Sequence, residues 1–192
     1  MGAWFRHILL SAVAAALCWP ASALCDEKYP EFVEQVFLAE DAALKAVFAE
    51  NESVTRKVHA FTREQKSRIE SQTGWTLAES SVTVFEGRIG VRPSGWAMVC
   101  EEIGKFKPMT FMVRVSADGK VERVEVMVYR EPVGAEVRRK RFWGQFRGKT
   151  VHDRLRLNRD ILNITGATMS VQAMTAGVRK SLVIISELYG LK

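Results

Sequence analysis

Two segments on either side of Asp118-Gly119 constrain the fold of this chain most strongly. Residues 109–115 and 121–129 are rich in β-branched residues, and an Asp-Gly pair between two such segments is typical of a tight hairpin turn. The second segment alternates charged and apolar residues, which predicts one solvated sheet face. Shorter β-type runs lie upstream, at residues 82–85, 89–91 and 95–100. We therefore expect a twisted antiparallel sheet.

Helical patterns lie before and after these strands. They cover residues 31–49, 62–74, 135–146 and about 170–188. The first and the last have apolar side chains largely on one side. The second pattern opens on a possible capping box at Thr62. The fold class predicted is α+β, a twisted antiparallel sheet packed by helices, with an N-terminal helical segment and a long C-terminal helix.

The first 23 residues are expected to be a secretory signal. Arg6 precedes a short apolar run, residues 8–19, and Ala21-Ser22-Ala23 provides a cleavage site. The predicted organisation is a signal peptide (residues 1–23), an N-terminal helical segment (24–80) and a second domain (81–192). Such a protein would be periplasmic or otherwise exported.

Cleavage would leave two cysteines, Cys25 and Cys100, in a compartment where disulfides persist. They could form one bridge. Alternatively, Cys25 lies in a loose tail and Cys100 is a buried small hydrophobe, which we favour because no framework of cysteine spacings is present.

The chain is basic, with a formal net charge of +6. Residues 138–141 form a basic cluster that further arginines continue up to Arg159. A solvated helix face is the default interpretation, and attraction to anionic lipid or to an acidic partner is the alternative. Nucleic acid is not an expected partner, because no groove-entering motif is present and export separates the chain from nucleic acid.

A run of small and hydroxylated residues, 165–170, comes just before the C-terminal helix. The apolar positions that define this helix are spaced by three and four residues: Val171, Met174, Val178, Leu182 and Ile185. The first turn of a helix has unpaired N–H groups and the positive end of the macrodipole, so it accepts a phosphate. Gly166 and Ala167 present no bulk to obstruct one, and Thr168 places a hydroxyl beside it.

Thr165-Gly166-Ala167-Thr168 resembles the [Ser/Thr]-Gly-Ala-Thr flavinylation motif of FMN-binding domains, such as those of the C subunit of the sodium-pumping NADH:quinone reductase and the G subunit of Rnf complexes. The order of motifs upstream is also similar to small exported members of that family. It comprises Asp118-Gly119-Lys120-Val121, Tyr129-Arg130-Glu131, Gly134, Phe142, Gln145-Phe146 and Gly148-Lys149. One departure is Leu162, which stands where the family often has an aspartate.

The resemblance implies FMN joined to Thr168 by a phosphoester, installed by a flavin transferase of the ApbE type that uses FAD and magnesium and releases AMP. It also implies polar or aromatic contacts to the flavin, with Phe142 and Trp143 as further candidate walls. The candidate cofactor-binding residues are Thr168, Thr165, Gly166, Ala167, Ser170, Tyr129, Glu131 and Thr110.

No substrate motif accompanies these residues. No Ser-His-acid set, metal-ligand spacing or nicotinamide fingerprint can be assembled, so no catalytic or metal-binding residue is predicted. The function expected is that of an electron carrier between a membrane reductase and a periplasmic acceptor. Two alternatives are a non-redox binding or structural module in which Thr168 only caps a helix, and a flavin reductase with its own small substrate.

Overall fold

The computed structural model describes residues 34–191, which form a six-stranded antiparallel sheet with helices on both faces. The spatial order of the strands is β1-β6-β5-β4-β3-β2. The strands are β1 (Gln35–Val36), β2 (Ser53–Ala60), β3 (Ser81–Ile89), β4 (Arg92–Ile103), β5 (Pro108–Ser116) and β6 (Val121–Tyr129). The helices are α1 (Glu40–Val47), α2 (Arg63–Thr73), α3 (Lys140–Trp143) and α4 (Thr168–Tyr189). The predicted α+β class is confirmed.

The predicted hairpin around Asp118-Gly119 joins β5 to β6. The Ser116 N–H donates to the Lys120 carbonyl at 2.8 Å and closes the turn. The prediction of a strand at residues 89–91 is wrong. Ile89 ends β3, and Gly90 and Val91 form the turn to β4.

The main core lies between the sheet and helix α4, with α2 packed beside it. The five apolar positions that predicted α4 are all buried, each at 0% or 1% exposure. Gly177 lets the helix approach β5 closely, because a Cβ there would collide with the Phe111 ring. The buried apolar face and the close contact at Gly177 therefore fix the position of α4 against the sheet.

The opposite face of the sheet has a smaller core under α1. Ala43 and Val47 of α1, with Phe48, pack against Met112 of β5 and Met127 of β6. The solvated face predicted for the second hairpin strand is therefore only partly solvated. Glu122 is exposed there, but Met127 is covered.

The segment predicted as helical, residues 24–80, contributes two strands to the sheet. Strand β1 pairs with β6, and β2 pairs with β3 along its whole length. A helix was predicted over residues 31–49, but in the described part of this range α1 begins only at Glu40. Before it, the Phe37 N–H bonds to the Met127 carbonyl of β6 and not to a helical carbonyl. The predicted capping box at Thr62 is confirmed at the start of α2.

Residues 135–146 are not one helix. They form a 3₁₀ turn (Ala135–Arg138), the four-residue α3 and a second 3₁₀ turn (Gly144–Phe146), because the backbone at Arg139 is extended. Their apolar side chains are nevertheless buried, including Phe142 and Phe146.

Cys100 is buried beneath α4, with its Sγ 3.0 Å from Ser181 Oγ. The prediction that Cys100 is a small buried hydrophobe is confirmed. Cys25 and the predicted signal peptide lie outside the described residues. Among residues 34–191, no helix has the length and apolar character needed to span a membrane.

Candidate functional site

Thr168 is the first residue of α4 and is exposed. The N-cap position is Ala167, which has no side chain that could accept a hydrogen bond from the first turn. The interpretation of Thr168 as a helix cap is therefore wrong. Ser170 does not act as the cap either, because it is buried and bonds to Tyr129.

Asn163 holds the Thr168 side chain. Its Nδ2 donates to Thr168 Oγ1 at 2.9 Å, and its Oδ1 accepts the Ile164 N–H at 2.9 Å. Because the Ile164 N–H can bond only to an acceptor, it determines which end of the amide faces Thr168. The Thr168 oxygen thus accepts one hydrogen bond, and its own proton is directed elsewhere.

The turn before α4 leaves open space above the helix N-terminus. The Ala167 N–H donates to the Ile164 carbonyl at 2.9 Å, and Gly166 adopts a left-handed conformation with φ of 82°. Thr165 and Gly166 are exposed, and a Cβ at Gly166 would meet nothing within 4 Å. This motif therefore combines a long helix's positive end with room for an anion.

Tyr129 connects the start of α4 to the sheet. Its hydroxyl donates to the Val133 carbonyl at 2.5 Å and lies 2.7 Å from Ser170 Oγ, so the serine must donate to the tyrosine oxygen. Burial raises the pKa of Tyr129 above its ordinary value. Gly134 lies against this pair of hydroxyls with a φ of 97°. Tyr129 and Ser170 are thus supports beneath the helix start.

Glu131 is buried at 4% exposure and is engaged with a different turn. Its Oε1 accepts the backbone N–H of Phe106 at 2.5 Å and that of Lys107 at 2.9 Å. This carboxylate therefore holds the turn between β4 and β5.

The structure does not bring Thr110 to the helix start. Phe111, its neighbour on β5, belongs to the core under α4, whereas Thr110 lies on the other sheet face. There its Oγ1 accepts from an Arg130 guanidinium nitrogen at 3.0 Å and donates to Glu101 at 3.2 Å.

A cleft of about 390 Å³ lies beside Asn163. We call it the Phe142 cleft. It is lined by Glu136, Arg139, Arg141, Phe142, Gln145, Leu162, Asn163 and Ile164. The volume is within the range of about 300–1,000 Å³ that is typical of small-ligand sites. Of the two aromatic walls suggested by the sequence, Phe142 lines this cleft and Trp143 does not.

The walls of the Phe142 cleft combine apolar and basic groups. Phe142 is almost fully buried, and Leu162 leaves 67% of its surface exposed at the rim. The Gln145 amide bridges the two sides, because its Oε1 accepts the Leu162 N–H at 2.7 Å. Arg139 and Arg141 add positive charge opposite one acid, Glu136. Such a cleft fits a flat, apolar ring with polar edges.

Sequence reasoning missed most of this cleft. Arg139 and Arg141 were noticed only as members of a basic cluster, and Gln145 only as part of the family pattern. Asn163 is not among the site residues predicted from the sequence. Its spacing of five residues from Thr168 gives no periodic signal, since the contact depends on how the intervening turn folds.

Comparisons with a family model and with solved structures both give matches. Residues 104–183 match the family model of the FMN-binding domain. The fold is similar to the crystal structure of NqrC from Shewanella oneidensis, with a TM-score of 0.52 and 16% sequence identity, over 75% of this chain and 84% of that chain. No curated protein matches. Tyr129, Glu131 and Thr168 lie within the matched range.

Proposed function

Because residues 104–183 match the family model of the FMN-binding domain, we propose that this chain is an exported electron-transfer flavoprotein whose FMN is joined to Thr168 by a phosphoester. The observation that carries the attachment site is the exposed Thr168 hydroxyl at the start of a 22-residue helix whose N-cap has no capping side chain. The alternative of a non-redox module, in which Thr168 only caps a helix, loses its structural basis, because Ala167 occupies the cap position.

The helix start fits a phosphate. The first-turn N–H groups of a helix and its macrodipole favour negative charge, and the effect is strongest within the first turn. Gly166 leaves the approach open. A phosphate on Thr168 Oγ1 would remain beside these groups.

The Phe142 cleft fits the flavin ring. It adjoins the attachment point, because Asn163 both lines the cleft and bonds to Thr168. Phe142, Leu162 and Ile164 supply apolar walls, and Gln145 supplies an amide at the edge. Arg139 and Arg141 place positive charge where a reduced, anionic ring would be stabilised.

The flavin supplies the electron transfer itself, and the protein supplies binding, orientation and electrostatics. Tyr129 and Ser170 hold the helix start against the sheet. Glu131 fixes the neighbouring turn. A covalent tether keeps the cofactor at high effective concentration where a dissociated one would be lost.

The attachment is proposed to occur once, during maturation. The Thr168 oxygen attacks the FMN phosphorus of FAD, the bond to the AMP phosphate breaks, AMP leaves, and the hydroxyl proton passes to a base of an ApbE-type transferase. The loaded protein then passes electrons between a membrane reductase and a periplasmic acceptor. Export rests on the signal predicted in residues 1–23.

The proposal is tested by producing the full chain with and without a flavin transferase of the ApbE type, FAD and magnesium. We expect an FMN phosphodiester on the Thr168 peptide by mass spectrometry, and yellow protein that keeps its colour after denaturation. Thr168→Ala should abolish both signals. Thr165→Ala is the matched control, because it removes an exposed hydroxyl from the same turn and should retain the modification.

An unmodified Thr168 in protein made with an active transferase would overturn the proposed attachment. As a positive control, a second substrate protein in the same reaction must become flavinylated, which shows that the transferase is active. Colour that is lost on denaturation would instead indicate non-covalent FMN.

A further inference from the structure

Exposed apolar side chains lie together on and beside the outward face of α4, near Thr168. Trp75, Ile103 and Met169 are 48%, 72% and 44% exposed, and all three line one cleft of about 340 Å³. Large apolar side chains grouped around a concavity indicate an interaction site more strongly than single exposed ones do. We call these three residues, with Gln172 and Ala176, the Trp75 face.

This face is continuous with the proposed flavin attachment point. Met169 follows Thr168 directly, and Gln172 lies one helical turn beyond Thr168 on the same side of α4. Ala176 follows one turn later. A molecule seated on the Trp75 face would therefore lie beside Thr168.

An arginine-lined cleft of about 400 Å³ borders the Trp75 face on its other side. It shares Trp75, Gln172 and Ala176 with the first cleft and adds Arg154, Arg156 and Arg179. Arg179 is held in place by bonds to the carbonyls of Gln72 at 2.7 Å and Arg154 at 3.3 Å.

These arginines are largely uncompensated. Within residues 34–191, no carboxylate lies within 4.0 Å of the Arg154 or Arg179 guanidinium group, whereas Arg156 pairs with Asp160 at 3.4 Å. An apolar centre that contains Trp and Met, bordered by arginines, has the composition of a protein interface.

We propose that the Trp75 face docks an acidic electron-transfer protein, which exchanges electrons with the flavin on Thr168. This inference rests on the proposed function for the electron exchange. The arginine border selects an acidic partner through charge complementarity. A protein is favoured over a lipid surface because Trp75 and Ile103 line a concave cleft together with Glu102 and Lys180, which a protruding side chain fills better than a flat bilayer does.

The test uses the flavin-loaded full chain and an acidic plant-type ferredoxin as the probe. Reduced ferredoxin is a low-potential one-electron donor, and stopped-flow absorbance follows bleaching of the flavin. Trp75→Ala should slow the bimolecular rate about tenfold, because a few aromatic anchors carry most of the docking energy of an interface. The double variant Arg154→Glu/Arg179→Glu should slow it about tenfold at low salt and remove most of its salt dependence.

Matched controls lie at the turn between β3 and β4. Arg92→Glu and Val91→Ala change an exposed charge and an exposed apolar residue there. Ile103 and Arg92 stand at opposite ends of β4, about 36 Å apart at the usual rise per residue, so both controls should retain the unmodified rate. Thermal melting of each variant shows that it is folded.

Rates that are equal in the Trp75 and arginine variants and in the controls would overturn the proposal. The variants are also tested for binding to anionic phosphatidylglycerol vesicles. If they abolish vesicle binding but leave the ferredoxin rate unchanged, the proposal is overturned in favour of a lipid surface. Failure of the proposed function is recognised separately, because the protein would then have no covalent flavin to bleach. In that case binding of the same ferredoxin is titrated against the flavin-free chain, and loss of binding in the variants alone still supports docking.

Discussion

Gly134→Ala should destabilise the protein through two separable effects. Gly134 has a φ of 97°, and an added Cβ would lie 2.5 Å from the Tyr129 hydroxyl and 2.7 Å from Ser170 Oγ. The left-handed backbone costs a residue with a Cβ about 1–2 kcal/mol. Moving the two hydroxyls weakens their buried hydrogen bonds, at about 1 kcal/mol each. We expect a loss of about 2–4 kcal/mol in the free energy of unfolding.

Two other glycines separate these effects. Gly148 also has a positive φ, 77°, but a Cβ there would meet nothing within 4 Å, so Gly148→Ala should cost only the backbone contribution. Gly144 has a helical φ of −58° and equally open surroundings. Gly144→Ala should therefore be neutral or stabilise the protein by up to about 1 kcal/mol.

Urea denaturation of the three variants, followed by circular dichroism, measures the differences. Gly134→Ala should have the lowest midpoint and an unchanged slope. If Gly134→Ala and Gly148→Ala lose the same stability, crowding against Tyr129 and Ser170 contributes nothing, and the view that this pair supports the helix start is refuted.

The remaining predictions concern individual side chains. Arg114→Met should cost about 3–5 kcal/mol, because Arg114 binds the buried Glu52 carboxylate at 2.7 Å; adding Glu52→Gln should recover part of the loss in urea denaturation. Burial opposes ionisation of Glu52, but hydrogen bonds from Arg114 and from the Ala49 N–H outweigh it and hold its pKa below 4.5. This contribution to stability is therefore present at neutral pH, and it should be lost as the pH of an unfolding titration falls below 4.5. Burial raises the pKa of Cys100 to about 12, so in Cys18→Ser/Cys25→Ser protein a thiol reagent should label Cys100 only after urea is added. Rapid labelling of the native protein would contradict the burial of Cys100. Asn163→Ala should slow FMN incorporation several-fold by releasing Thr168 Oγ1, whereas incorporation at the normal rate would show that the bond does not matter for the transferase.

Elements with strong local signals could be predicted from the sequence. The hairpin at Asp118-Gly119, the capping box at Thr62 and the periodic α4 each depend on residues within a few positions of one another. The motif that ends at Thr168 is likewise local, and its position at the start of α4 followed from the helix pattern.

Contacts between residues far apart in sequence could not be predicted and are known only from the folded structure. It placed Thr110 on the sheet face away from α4, turned the Glu131 carboxylate toward the β4–β5 turn, and brought Trp75 beside Met169. It also added β2 to a segment that the sequence had indicated as helical. These outcomes depend on strand pairing and helix packing between residues far apart in sequence, and periodicity within a short window carries no information about such contacts.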